Sequence, residues 1–150
     1  MFDMYESGED YLETIYLLSK KNGVVHSIDV ARDLGFSRPS VSRAVGILKN
    51  DGYLIMNEDS ELILTEKGLK KAIEVFDKHK ALTSFLMLTA GVNEDIAETD
   101  ACRIEHIISP ETYEGIKNFI RSDVVRKNAE KLPKFIDYES KPMRGSKKEQ

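Results

Sequence analysis

The sequence predicts a mainly α-helical chain, an N-terminal winged helix-turn-helix followed by an all-helical domain. Three observations carry that expectation. Two short amphipathic stretches, "SIDVARDLGF" and "SRPSVSRAVGILKNDG", are separated only by the tight turn at Phe36 and Ser37, which is the helix-turn-helix pattern. "YLIMNEDSELILT" follows at once, two apolar flanks around a polar tip, and reads as a β-hairpin. Beyond it the apolar residues recur at helical spacing only.

Residues 7 to 21 form a first helix, with Ser7 as N-cap, Asp10 at the capping-box position, and Tyr11, Leu12, Ile15 and Leu18 as the apolar stripe. Asn22 and Gly23 stop it. Ser27 opens the second helix, which turns Ile28, Ala31 and Leu34 inward and ends at Gly35. Ser37 caps the third, Pro39 suits its first turn, and Val41, Ala44, Val45 and Leu48 face the core until Asp51 and Gly52. Strands are expected at Tyr53 to Met56 and Leu62 to Leu64. Thr65 caps a long helix to about residue 90, with Leu69, Ala72, Ile73, Phe76, Leu82, Phe85 and Leu86 as its apolar face. "VNEDIAETDACRIEHIIS" reads as another helix and "SPETYEGIKNFIRS" as a third, with Ser109 as cap and Pro110 at its first position. "VVRKNAEKLPKFIDY" adds a short helix, and the polar, basic end reads as disordered. The domains expected are 1–70 for the winged helix, 71–136 for the helical part and 137–150 for the tail.

Composition narrows the function. A hydrophobic share of 41% with 32% charged residues suits a globular chain. No apolar run reaches the roughly 18 residues a membrane span needs, and "MFDMYESGEDY" lacks the profile of a signal peptide. One cysteine permits no internal disulfide, so a cytoplasmic location is expected. The net charge of -4 means that any nucleic acid must be held by a local patch. That patch is the start of the third helix. Ser37, Arg38, Pro39, Ser40, Ser42 and Arg43 are small, hydroxyl-bearing or basic, which suits close approach to a major groove; a solvated helix face is the ordinary alternative. The acidic tip formed by Glu58, Asp59 and Glu61 argues against a strong grip by the wing.

"DACRIEHIIS" holds the only cysteine and one of three histidines. In a helix, Cys102, Glu105 and His106 share an arc of about 100°, with Ala101, Ile104 and Ile108 on the other side. Asp10 and Glu13 sit side by side on the first helix, and His79 lies in the middle of the long one. Each has an ordinary alternative: a small buried hydrophobe for the cysteine, helix N-terminal charge for the carboxylates, surface for His79. Together they form a candidate metal-ligand set on three helices. His26 is read as a surface residue without partners.

"EDYLETIY", "SRPSVSRAV", "LTEKG", "DKHKAL" and "DACRIEHIIS", in that order from Glu9 to about residue 120, resemble the diphtheria toxin repressor family of metal-dependent transcriptional repressors, which includes iron- and manganese-dependent regulators. The resemblance implies a winged helix, a helical dimerisation domain, a homodimer on palindromic double-stranded operator DNA, and a divalent metal held by Asp10, Glu13, His79, Cys102, Glu105 and His106. It also matches Ser37 and Pro39 to DNA-touching positions of the iron branch. Asp10 and Glu13 follow the manganese branch, and Cys102 follows the iron branch. Two ligand positions of the iron branch's second site are Thr83 and Glu98 here. The length fits the short forms without an SH3-like domain. Carboxylates suit Mn²⁺ and Fe²⁺, and a thiolate moves preference toward Fe²⁺, Co²⁺, Ni²⁺ or Zn²⁺. The expected signal is Fe²⁺ or Mn²⁺, with Zn²⁺, Co²⁺ or Ni²⁺ able to substitute in vitro. Two rival readings are a metal-independent winged-helix regulator answering to a small molecule, and a metalloenzyme. No HExxH motif supports the second, and no enzyme activity is expected.

Overall fold

The computed structural model describes residues 6–122, and side chains from residue 8. Its elements run α1 (Glu6–Asn22), α2 (Ser27–Leu34), α3 (Arg38–Asn50), β1 (Leu54–Met56), β2 (Leu62–Leu64), α4 (Glu66–Ala90), α5 (Glu94–Ile104) and α6 (Pro110–Ile120). The expected helix after Asp123 and the tail lie outside the described residues. Two compact units divide between Ile73 and Glu74, inside α4.

In the first unit the local stop and start signals act as read. Gly23, Gly35 and Gly52 take positive φ at the ends of α1, α2 and α3. The Ser37 hydroxyl accepts from the Ser40 amide at 3.3 Å and Pro39 sits in the first turn of α3. α1 already includes Glu6, one residue before the expected cap position. α2 buries Val30 and Ala31, while Ile28 and Leu34 are only half-buried.

The hairpin is antiparallel, pairing Leu54 with Leu64, Ile55 with Ile63 and Met56 with Leu62. A third segment joins it. His26 bridges Glu61, and the Leu62 amide donates to the Val25 carbonyl at 2.7 Å. His26 is therefore not an isolated surface residue. It precedes α2, and its amide donates to Asp29 Oδ2 at 2.8 Å.

The wing root is fastened to the start of α4. The Thr65 hydroxyl donates to the Gly52 carbonyl at 2.6 Å and accepts from the Gly68 amide at 3.1 Å. Lys67 donates to the Asp51 carbonyl at 2.9 Å and lies over the Tyr53 ring. Gly68 is obligatory: a Cβ there would fall 1.9 Å from the Tyr53 carbonyl oxygen, which is backbone and cannot swing away. Tyr11, Leu12, Ile15, Leu18, Val25, Val30, Ala31, Val41, Val45, Leu48, Leu54, Leu62 and Ala72 close around this frame as one core.

Among the described residues of the second unit, Leu82, Ala101 and Ile116 form a buried cluster, with Phe85, Leu86, Ile104, Ile108 and Ile120 half-covered around it. The buried line of α4 runs through Gly68, Ala72, Val75, His79 and Leu82, so Leu69 and Ile73 are exposed instead of facing the core. Asn93 caps α5 by accepting from the Ile96 amide, and Ser109 caps α6 by accepting from the Thr112 amide. α5 stops at Ile104, five residues short of the expected end. Glu105, His106 and Ile107 form a turn.

Candidate metal centre and DNA-reading helix

The early end of α5 changes how the candidate ligands are presented. Cys102 remains on the last helical turn, half-buried, and Glu105 is the C-cap, its amide still bonded to the Ala101 carbonyl. His106 is carried by the turn that follows. Cys102 and Glu105 still converge, their ligand atoms within 4.8 Å of each other. Glu105 turns inward and is 1% exposed, close to the 0% of Ala101.

Inside the second unit this turn meets α4. Glu105 Oε2 lies 2.9 Å from His79 Nδ1, and its Oε1 lies 3.3 Å from His106 Nε2. His79 is 3% exposed, and the His106 side chain is 2% exposed. A carboxylate taken out of water costs several kcal/mol unless partners replace the lost hydration. Here two imidazoles do so. Two imidazoles, a buried carboxylate and a nearby thiol are donor types that suit a divalent transition metal.

The other two predicted ligands belong to the first unit. Glu13 is buried at 2% exposed and Asp10 is half-buried, both on α1. Thr83 is fully buried, and its hydroxyl donates to the His79 carbonyl at 2.8 Å. That position is thus a neutral group satisfied within its own helix, and it also steadies the turn carrying His79.

The residues expected to read DNA are all on one surface. Ser37, Arg38, Pro39, Ser40, Ser42 and Arg43 are exposed, while Val41, Val45 and Leu48 face the core. Sequence reasoning overlooked their neighbours: Ser27 and Ile28 at the start of α2 line a cleft of about 390 Å³ with Arg38 and Ser42. The signal was available, because the two helices of a helix-turn-helix bring their N-terminal turns to one side. In the second unit, Ile107 is 80% exposed, Ile96 and Phe119 are also exposed, and Phe119 meets Phe85 edge to face. No helix among the described residues is long and apolar enough to cross a membrane.

Comparison with known proteins joins these two regions. Residues 3–62 match the N-terminal DNA-binding domain of the iron-dependent repressors, and residues 65–134 match their metal-binding and dimerisation domain. An uncharacterised helix-turn-helix transcriptional regulator of Methanocaldococcus jannaschii is 36% identical over 78% of this chain and 94% of its own length. The regulator MntR of Geobacillus thermodenitrificans is 35% identical over 77% of this chain and 81% of its own. The iron-dependent repressor IdeR of Mycobacterium tuberculosis is 28% identical over 91% of this chain, which spans 60% of its length. Among solved structures, the manganese regulator SloR superposes with a TM-score of 0.69 at 28% identity, over 75% of this chain and 53% of SloR.

Proposed function

The chain belongs to the iron-dependent repressor family, and from that premise we propose that it is a metal-activated, sequence-specific DNA-binding repressor that answers to Fe²⁺ or Mn²⁺ in metal homeostasis. The observation that carries this reading is the buried Glu105 carboxylate between His79 and His106, in a chain that also exposes the polar start of α3.

The proposed ligand set is Asp10, Glu13, His79, Cys102, Glu105 and His106. Metal at these residues supplies positive charge to a group of carboxylates and a thiol that otherwise repel one another. His79 and His106 offer ring nitrogens, already oriented by Glu105. Asp10 and Glu13 make metal occupancy depend on α1, which packs against the helix-turn-helix. Cys102 tunes which ion is preferred. The arrangement that binds metal best is the one favoured when metal is present, and repression follows if that arrangement also binds DNA best. Two copies, joined through the apolar surface at Ile96, Ile107 and Phe119, place two α3 helices on a palindromic operator.

The test starts with DNA sites selected from a random duplex pool by the Mn²⁺-loaded protein. Affinity for the selected site is then measured with Mn²⁺, with Fe²⁺ under anaerobic conditions, and with chelator. The expected loss without metal is at least about hundredfold, equivalent to about 2.7 kcal/mol of coupling. Equal affinity with and without metal refutes the switch.

A further inference from the structure

The wing is apolar on both faces. Leu54 and Leu62 point into the core. Ile55 and Ile63, paired directly across the hairpin, point to the other face and are 51% and 42% exposed. The bridge from His26 to Glu61 and the bond from the Leu62 amide to the Val25 carbonyl set Val24 opposite Ile63, and Val24 is 44% exposed. Three β-branched side chains thus form one row across three adjacent segments. The end of the row is acidic. Glu58, Asp59 and Glu61 lie in the tip, which Asn57 holds by accepting from the Asp59 and Glu61 amides at 3.0 and 2.9 Å.

An apolar row with an acidic end is a poor surface for a phosphate backbone, which needs cations. It suits a segment that alternates apolar and basic groups. We propose that this face docks the chain's own basic tail, residues 137–150. "DYESKPMRGSKKEQ" sets Tyr138, Pro142 and Met143 among Lys141, Arg144, Lys147 and Lys148, and residues 140–148 contain no acid. Pro142 and Met143 cover Val24, Ile63 and Ile55, while the cations meet Glu58, Asp59 and Glu61. The intervening residues 123–136 would reach up to about 50 Å if fully extended. A connection of that length gives the tail about millimolar effective concentration, so a contact of modest intrinsic affinity is populated. Docking also changes the charge of the wing tip from acidic toward neutral.

The test is limited trypsin digestion of the full-length protein without DNA, following cleavage of the Arg144–Gly145 bond by mass spectrometry. Cleavage follows the undocked fraction when docking is fast. It is expected to be about tenfold faster in Ile55→Thr/Ile63→Thr than in the wild type, and faster in 0.5 M salt. Glu58→Gln/Asp59→Asn leaves the apolar row intact and is expected to speed cleavage in the same sense, which covers the case of a poorly folded double Thr variant. Equal rates in wild type and both variants overturn the proposal. Protection that fades when the protein is diluted also overturns it, in favour of a second copy as occupant.

Discussion

The two units are stabilised in different ways. The first encloses a continuous hydrocarbon core, from Tyr11 on α1 to Ala72 on α4, and among its described residues the buried charges are Glu13 and Asp33. Among its described residues the second buries Leu82, Ala101 and Ile116 as a cluster, with Val75 and Ala97 also buried, and it buries His79, Thr83, Ser84 and Glu105 as well. Apolar burial is non-directional and needs no ligand. Buried ionisable groups need partners, and their balance changes with whatever binds them. That difference suits the first unit to present α3 and, under the proposed function, the second to respond to an ion.

The largest expected effect comes from breaking the first unit at its joint. Gly68→Ala places a Cβ against the Tyr53 carbonyl, with the Tyr53 carbonyl carbon at 2.9 Å as well. Either the wing root or the start of α4 must move. A loss of about 3 kcal/mol or more is expected in urea denaturation, with or without metal. Gly46→Ala is the matched control, because a Cβ there has open space and a helix-interior Ala is favoured by about 1 kcal/mol. If Gly68→Ala melts like the control, the joint between wing and α4 is looser than its contacts indicate.

A smaller but more selective effect is expected in the second unit. Glu105→Ala removes the acceptor shared by His79 and His106, at a cost of about 1–3 kcal/mol in the metal-free protein. Its main consequence is lost linkage. Metal at a hundredfold excess over its dissociation constant stabilises a binding protein by about 2.7 kcal/mol, and Glu105→Ala should forfeit most of that in thermal denaturation. Arg43→Ala, on the exposed side of α3, should keep the full metal stabilisation while weakening operator binding by about ten- to hundredfold. A Glu105→Ala protein that gains as much thermal stability from metal as the wild type would place the ion elsewhere.

This contrast also explains what could be read from the sequence. Features written in adjacent residues were legible: the Ser37 and Ser109 caps, the glycines that end α1 to α3, and the hairpin between α3 and α4. Features set by distant partners were not. His26 looked isolated because its partner across the sheet, Glu61, is far along the chain. α5 looked longer because "IEHIIS" continues an apolar rhythm and contains no glycine, yet the helix ends where Glu105 turns to His79, 26 residues away. The inward line of α4 was misread toward Leu69 and Ile73 because Gly68, Ala72 and His79 do not look like core residues. The ligand types were visible as types. The pairing of His79, Glu105 and His106 was not, since it depends on that turn.

The smallest expected effect on stability, and the sharpest on chemistry, belongs to Cys102. It is half-buried at the last turn of α5, next to the buried carboxylate but not part of the apolar cluster. Cys102→Glu should therefore change the metal-free stability by less than about 1 kcal/mol. It exchanges a soft sulfur for a hard oxygen. Thiolates favour Co²⁺ and Zn²⁺, whereas Mn²⁺ accepts carboxylates readily. The ratio of Mn²⁺ to Zn²⁺ affinity should rise by about tenfold in competition titrations, and the thiolate-to-metal charge-transfer absorption of the Co²⁺ form should vanish. Unchanged selectivity together with an unchanged Co²⁺ spectrum would mean that the thiol stands beside the ion without binding it, and that the response of the second unit rests on its carboxylates and imidazoles alone.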